Sequence, residues 1–301
     1  MRTIVAVMVI AGFFGAAAQA FAQMDSTSYQ IRWDTVGNGG DDVSSSSSYI
    51  LKDTTGSAGI GDSASASYEL GAGYRPGISS DVLDFSFFSE DSATSTAATA
   101  LAGLTIDCDP TDFSIGDMIA LLQDRGEDQV TAIGQVVSIG IDSITVDALK
   151  DAGDMPAIDG SNDFVAILEG ESSALSTLST SAVRTSVIGM SVSSSAPDGY
   201  AVQILSDGDF RDVAETVNPV ADGSVTAGSE EYGARSSDSD ISSSTFDSAD
   251  SAITTSFQTI ADLDAVVSND RNFLVTKAAI SPSTVAGSYA QTLTLIVSGH
   301  Y

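Results

Sequence analysis

Acidic side chains dominate the residues of this sequence that could do chemistry, with 41 Asp and Glu against 11 Lys and Arg. Asp207, Asp209 and Asp212 come closest to a ligand set, because they lie in one short segment that Gly208 allows to turn. Hard cations such as Ca²⁺ take about six to eight oxygen ligands, which carboxylates supply. The spacing therefore indicates a candidate calcium site. A solvated acidic hairpin is nevertheless the favoured interpretation, since the bidentate Glu that closes an EF-hand loop is missing.

The groups that catalytic sites most often use are scarce. His300 is the only histidine and Cys108 the only cysteine, so the usual His/Cys zinc site cannot be built. A Ser-His-Asp or Cys-His arrangement would have to use His300, in a terminal segment where fraying is expected. Trp33 is the only tryptophan, which leaves few aromatic platforms for a glycosidase. We therefore predict no enzyme and no cofactor other than calcium; a hydrolase using carboxylates alone is the weaker alternative.

The charge balance limits the partners. The net charge is −30, and removal of segment 1–22 takes away Arg2 and no acid, which leaves −31. Such a field repels nucleic acid and anionic membrane surfaces, because binding them needs clustered Lys and Arg. A lone cysteine allows no disulfide within the chain, and we expect Cys108 to be a small buried hydrophobe.

Residues 1–22 have the pattern of a secretory signal peptide. Arg2 gives a short positive start, an uncharged apolar run follows from Ile4 to Ala18, and Ala20 and Ala22 are the small residues that a signal peptidase recognises. The run is shorter than the roughly 20 apolar residues that span a bilayer. We expect cleavage after Ala22, a secreted protein of the cell exterior or cell surface, and no membrane insertion after cleavage.

The elements that follow are all predicted to be β, beginning with tandem repeats over 23–77. Ser28-Tyr29, Ser48-Tyr49 and Ser67-Tyr68 recur at nearly equal spacings, each opening a short apolar run that ends in a Gly-marked turn. Self-similarity at a fixed period usually indicates stacked units that bury one another's faces. We expect the three tyrosines to occupy equivalent positions. A flexible Ser/Gly stalk is the alternative.

Three further segments complete the predicted all-β chain. Residues 78–104 are expected to connect, with one half-buried strand around Phe85 and a Ser/Ala/Thr-rich stretch. Residues 105–168 alternate short Val/Ile-rich runs with Gly and Asp turns, which favours a small β-barrel. Residues 169–301 read as paired strands around the turn at Asp198-Gly199 and end in a strand over 289–297. We expect that last strand to complete its own domain, and contacts between subunits to use the repeats.

The C-terminal segment resembles the WxL-type surface domains of bacteria. The stretch 196–202, A-P-D-G-Y-A-V, is similar to the family's N-G-Y-x-V strand entry. The stretch 286–297, A-G-S-Y-A-Q-T-L-T-L-I-V, is similar to its closing A-G-x-Y-x-x-x-I-x-W-x-L strand, with Leu295 in place of the tryptophan and Val297 in place of the leucine. The resemblance implies a β-sandwich over 169–301, without the motif that names the family.

The whole chain also resembles uncharacterised secreted repeat proteins of ultra-small uncultured bacteria, through the Ser-Tyr-x-Leu-x-Asp-Thr-x-Gly repeat and the stretch G-S-E-E-Y-G at 228–233. Together these features predict a secreted structural or adhesive protein of the cell surface, working with other copies of itself in an extracellular assembly. The alternative is a non-catalytic module that binds cell-wall polymer or glycan in a groove of the C-terminal sandwich.

Overall fold

The computed structural model describes residues 82–213 and 215–300, and the backbone of four short strands before them. The described chain is all-β, with antiparallel sheets and no helix that could span a membrane. Two compact units divide it, Met1–Ser80 and Asp81–Tyr301. The strands are β1 (Ser44–Ser45), β2 (Ile50–Leu51), β3 (Gly61–Ala64), β4 (Glu69–Ala72), β5 (Leu83–Ser89), β6 (Thr96–Ala97), β7 (Ala100–Ala102), β8 (Thr105–Asp107), β9 (Met118–Gln123), β10 (Val130–Ile139), β11 (Ser143–Val146), β12 (Lys150–Asp151), β13 (Phe164–Leu168), β14 (Arg184–Ser194), β15 (Tyr200–Ser206), β16 (Glu231–Ser236), β17 (Gln258–Leu263), β18 (Val267–Ala279) and β19 (Leu293–Gly299).

The N-terminal unit contains two antiparallel strand pairs with the same register. Leu51 of β2 pairs with Ser44, and Leu70 of β4 pairs with Ser63. Ser63 follows Ser44, and Leu70 follows Leu51, at the same distance along the chain. This distance is also the one from Ser48-Tyr49 to Ser67-Tyr68. Each pair falls at the same place in its copy of the sequence repeat. The predicted equivalence of Tyr29, Tyr49 and Tyr68 lies outside the described residues.

The central strands form one sheet path in the order β6-β13-β9-β10-β11-β8-β7, with β12 beside β10. β10 pairs with β9 from Val130 to Gln135 and with β11 from Val136 to Ile139, and the second pairing contains a register shift between Val136 and Ser138. A shift of this kind bends a strand and lets it belong to two differently oriented sheets. The two halves enclose a core that includes Ile106, Leu121 and Cys108, and Cys108 is buried as expected.

The closed barrel predicted for 105–168 is not found. The two end strands, β6 and β7, lie outside that range and follow one another along the chain. The chain changes its pairing partner between β6 and β7. Ala98 donates its N–H to the Asp163 carbonyl oxygen (3.0 Å), next to β13, whereas Thr99 donates to the Asp107 carbonyl oxygen of β8 (2.9 Å). No ladder joins β6 to β7, so the path stays open in the described part of the chain.

Two more sheets share the next core, a four-stranded one in the order β16-β18-β14-β5 and a three-stranded one in the order β17-β15-β19. The predicted strand around Phe85 is β5, and it pairs with β14, which follows the whole central sheet in sequence. β14 and β15 are joined by the predicted turn at Asp198-Gly199. Both sheets supply this core, with Met190 from β14 and Tyr200 from β15 among its members.

β19 follows the predicted alternation. Leu293, Leu295 and Val297 are half-buried against the core that the two sheets share, whereas Thr294 and Ile296 are exposed. β19 pairs with β15 only, through an unbroken register from Leu293 to Gly299. The strand thus packs on its own domain and at the same time forms the edge of its sheet.

The central strands and the four-stranded sheet are held together by an apolar layer and by ion pairs. Leu122 of β9 shares a core with Val187 of β14 and Phe273 of β18. Three basic side chains cross the same boundary. They are Arg125, which pairs with buried Glu90, Arg271, which pairs with Asp147, and Lys277, which pairs with Asp250 and donates to the Glu127 carbonyl.

Candidate binding groove

A groove of about 740 Å³ opens between the loops 172–178 and 284–291 of the second unit. Its floor includes Tyr232 of β16 and Thr276 of β18. Both loops are rich in Ser, Ala and Thr and lack strand alternation, so they form irregular walls rather than further strands. The volume lies in the range of about 300–1,000 Å³ that is typical of small-molecule sites.

Aromatic rings line one end of the groove. The ring centroid of Phe210 lies 5.8 Å from that of Tyr232 and 5.9 Å from that of Tyr289. Tyr232 is buried, while Phe210 and Tyr289 are half-buried and leave ring surface open. The Tyr289 hydroxyl donates to the Val285 carbonyl (2.7 Å), which fixes the ring against the loop that carries it. Burial raises the pKa of Tyr232, so its phenol stays neutral.

The groove is nearly free of charge although the chain carries 41 acidic residues. Among the described residues, no carboxylate is in the lining and Lys277 is its one charged member, while Glu230 lies behind the wall and accepts from the Thr284 hydroxyl. The Lys277 ammonium is already bonded to Asp250 (3.2 Å) and to the Glu127 carbonyl oxygen (3.1 Å). Its hydroxyl-bearing walls include Ser172, Ser173, Ser176, Thr177, Thr284 and Ser288. Neutral donors and acceptors beside open aromatic surface suit an uncharged, hydroxyl-rich ligand.

The predicted calcium residues lie near one another but not in a metal-binding arrangement. Arg211 forms an ion pair with Asp207 (2.8 Å) and donates to the Asp209 carbonyl oxygen (3.1 Å). This pairing lowers the pKa of Asp207. The Asp212 carboxylate instead accepts from the Val213 N–H (2.7 Å). Among the described residues, no group of three or more His, Cys, Asp or Glu could hold a metal ion. Arg211 supplies the positive charge here, and calcium binding stays a prediction.

The two residues considered for nucleophilic catalysis lie apart. Cys108 is buried in the central core, and this burial raises the pKa of its thiol to about 11. His300 is exposed beyond β19, where its N–H donates to the Gly199 carbonyl oxygen (2.9 Å). A thiol with so high a pKa is a poor nucleophile near neutral pH.

A buried carboxylate escaped the sequence analysis. Asp238 lies in a Ser- and Asp-rich stretch that reads as a solvated loop, yet it is only 7 % exposed. Its carboxylate accepts from the N–H groups of Asp262 (2.8 Å) and Asp240 (3.4 Å). Burial raises the pKa of Asp238 to about 6. The one sequence signal was Ile241, an isolated apolar residue three positions on, which is buried in the same region.

Comparison with known proteins gives no match: no family model, no curated protein and no solved structure matches the chain. The resemblance to WxL-type surface domains therefore stays a prediction from the residues quoted above. What the groove binds follows only from its own side chains and charges.

Proposed function

We propose that this chain is a secreted structural or adhesive protein of the cell surface that works as a subunit of an extracellular assembly. The observation that carries the proposal is the identical register of the β1–β2 and β3–β4 pairs, which lie one sequence repeat apart. Units that repeat in sequence and in strand pairing are typical of modular extracellular proteins, in which each unit contacts its neighbours. Residues 23–77 are then tandem β repeats.

The second unit, from Asp81 to Tyr301, is folded separately from the repeats. The two sheets of the C-terminal part form the expected β-sandwich, which is supported by their common core of Met190, Val192, Tyr200 and Val202. The sandwich includes β5 from the segment expected to connect. Residues 1–22 direct secretion, and the acidic surface keeps the mature chain soluble outside the cell.

Assembly is tested on the mature chain, residues 23–301. Electron microscopy and sedimentation velocity should show ordered oligomers or filaments at concentrations where a chain of residues 82–301 shows fewer or shorter ones. A chain that stays monomeric in both measurements at all concentrations and salt levels contradicts the proposal.

Secretion is tested by the mature terminus. Mass spectrometry of protein recovered outside the cell should find Gln23 at the N-terminus, or its pyroglutamate. An intact Met1 in that fraction contradicts cleavage after Ala22.

The second candidate function is binding of a cell-wall polymer or glycan, and the uncharged, aromatic-lined groove favours it. The bulk of the surface repels anions, so a neutral polyol chain fits the groove better than a nucleotide or phosphate. Its rings would stack on Phe210 and Tyr289 while the Ser and Thr hydroxyls hydrogen-bond to it.

Titration with neutral oligosaccharides and with isolated peptidoglycan tests this second function. Tyr289→Ala should weaken binding by about tenfold, which corresponds to the loss of about 1.4 kcal/mol. Phe257→Ala is the matched control, since Phe257 is 55 % exposed and lies outside the groove. Equal binding by both variants, or none by the native chain, removes the groove as a glycan site.

A further inference from the structure

Four strands form the edges of the two C-terminal sheets, and two of them are covered by the chain's own loops. β16 is bridged on its outer side at Tyr232 by Pro219 and at Ala234 by Ser251. β17 is capped by side chains: the Ser236 and Ser244 hydroxyls donate to its carbonyl oxygens, and the Asp238 carboxylate accepts from the Asp262 N–H. Natural proteins cover or charge sheet edges in this way to prevent unwanted strand addition.

The other two edges, β5 and β19, differ in charge. β5 carries the exposed Asp84, a charge that discourages pairing, and its last residue, Ser89, already exchanges backbone hydrogen bonds with segment 169–170. β19 reads LTLIVSG, with no charge, no proline and no bulge in its pairing with β15. Among these four edges, β19 is the one that lacks each of these protections.

The ladder shows which backbone groups of β19 face outward. His300 donates to the Gly199 carbonyl oxygen, and Thr292 accepts from the Asp207 N–H, so the even-numbered residues are bonded towards β15. In an antiparallel ladder the intervening residues direct their groups to the other side. The N–H and C=O groups of Leu293, Leu295 and Val297 therefore line the free edge.

Charge decides what can approach this edge. Residues 278–299 contain no Asp, Glu, Lys or Arg, whereas the whole chain carries a net charge of −30. Two copies of so acidic a protein repel each other wherever carboxylates meet. An uncharged edge is the surface on which they can meet without that cost, and a closed contact between identical surfaces needs a twofold axis.

We propose that β19 is the contact surface for β19 of a second copy, paired antiparallel about a twofold axis beside Leu295. This contact rests on the assembly proposed above and assigns one of its interfaces. The three outward residues of each copy then exchange about six backbone hydrogen bonds. Thr294 lies opposite Ile296 of the second copy on the exposed face.

A strand of the second copy added to β19 would also give the two sheets the same number of strands. The four-stranded sheet is one strand wider than the three-stranded sheet with which it shares a core. Its edge strand β5 leaves Leu83 38 % exposed and Phe87 37 % exposed, although both lie on the same side of β5 as core residue Phe85. β19 is in contact with β5, so this apolar surface lies near the free edge of β19, where a docked strand would reduce its exposure and favour association.

Two double variants of the mature chain test the contact, because each places two charges at exposed positions of β19. T294D/I296D sets like charges opposite each other across the axis and should weaken self-association in sedimentation velocity by at least tenfold. T294D/I296K sets opposite charges across the same axis and should retain it. Circular dichroism must show equal melting of both variants and the native chain.

The outcomes separate this contact from the wider proposal. Assembly that is unchanged in T294D/I296D places the interface elsewhere, the repeats included, and overturns the contact while leaving the assembly standing. Loss in both variants overturns the antiparallel pairing. A native chain that never associates removes the contact together with the proposed assembly. As a second readout, T294C/I296C should give an oxidised dimer that is linked through these positions, and its absence in associated protein also overturns the pairing.

Discussion

Arg271 of β18 is a buried cation. Its guanidinium donates to both carboxylate oxygens of Asp147 (2.8 and 2.7 Å), and its Nε is buried without a partner. These hydrogen bonds lower the pKa of Asp147 to about 2. Removal of Asp147 would leave a buried charge without its counter-ion.

Asp147→Asn should therefore lower the free energy of unfolding by about 2 kcal/mol, less than for a fully buried pair because Asp147 is partly exposed. Urea unfolding followed by circular dichroism measures it. Asp142→Asn is the control, since Asp142 is an exposed carboxylate on the neighbouring turn. An equal loss in both variants would show that the pair contributes nothing specific.

Asp238 makes stability depend on pH in the opposite direction to an ordinary ion pair. Burial raises its pKa from 3.8 to about 6, so the folded state binds this proton more tightly than the unfolded state does. The protonated Asp238 therefore adds to the free energy of unfolding in full below about pH 4, and this stabilisation is lost as the pH rises through 6. Unfolding free energies of Asp238→Asn, relative to the native chain, should therefore increase across that window. Asp154→Asn, at an exposed turn, should run parallel to the native chain.

The burial of a small apolar residue could be predicted from the sequence, whereas the burial of charged residues could not. Cys108 was expected in a core, with a disulfide to another chain as the alternative, because an unpaired cysteine most often behaves as a small buried hydrophobe. Arg271 and Lys277 lie in β18 among residues that are buried on both faces, a position that charged residues rarely take. Their partners, Asp147 for Arg271 and Asp250 for Lys277, come from segments distant in sequence, and no local pattern records those contacts.

At the scale of elements, the turn between β14 and β15 depends on one glycine. Gly199 has a φ of +80°, and a Cβ there would lie 1.6 Å from the Leu263 carbonyl oxygen. Gly199→Ala should lower the free energy of unfolding by about 3 kcal/mol, since it adds a backbone clash to the cost of a left-handed residue. Thermal and urea unfolding give the value.

Gly103→Ala separates the two costs. Gly103 has a φ of +65° with no atom within 4 Å of the added Cβ, so only the backbone term of about 1 kcal/mol should remain. If Gly199→Ala and Gly103→Ala lower the free energy of unfolding equally, the clash with the Leu263 carbonyl oxygen contributes nothing.

Strands and turns were largely predictable, whereas the closure of sheets was not. Alternation predicted β5 and the faces of β19, because a half-buried strand leaves a period of two in its sequence, although β19 begins at Leu293 rather than at 289. The barrel was wrong because closure depends on which strand each edge meets. The chain around Ala98 pairs with β13 on one side and with β8 on the other, and no short-range pattern specifies such a change of partner.

For the whole molecule, the boundary near residue 80 predicts independent folding. Deletion of 24–77 should leave the melting of the second unit unchanged, because that unit has its own cores. Deletion of 290–301 should lower its free energy of unfolding by about 3 kcal/mol or more, since Leu293, Leu295 and Val297 then no longer cover the core. Calorimetry of both truncated chains measures the melting of the second unit. Loss of its folding on deletion of 24–77 would contradict the boundary.

The order of segments along the chain did not predict which of them pack together. β5 was expected to connect two domains, yet its partner β14 lies beyond the whole central sheet in sequence. Pairings of such separation leave no trace in local periodicity, because each strand looks the same whichever neighbour it finds. The central strands are thus inserted between two strands of one sheet.

The division at residue 80 also allows the two units to be distinguished by their intrinsic aromatic signals. Trp33, the only tryptophan, belongs to the first unit, while Tyr200, Tyr232 and Tyr289 belong to the second. Light absorbed by indole alone therefore excites emission from the repeats only, and the buried phenol of Tyr200 contributes a near-ultraviolet signal from the other unit. Changes in the first unit and melting of the second can be followed separately in one unlabelled sample.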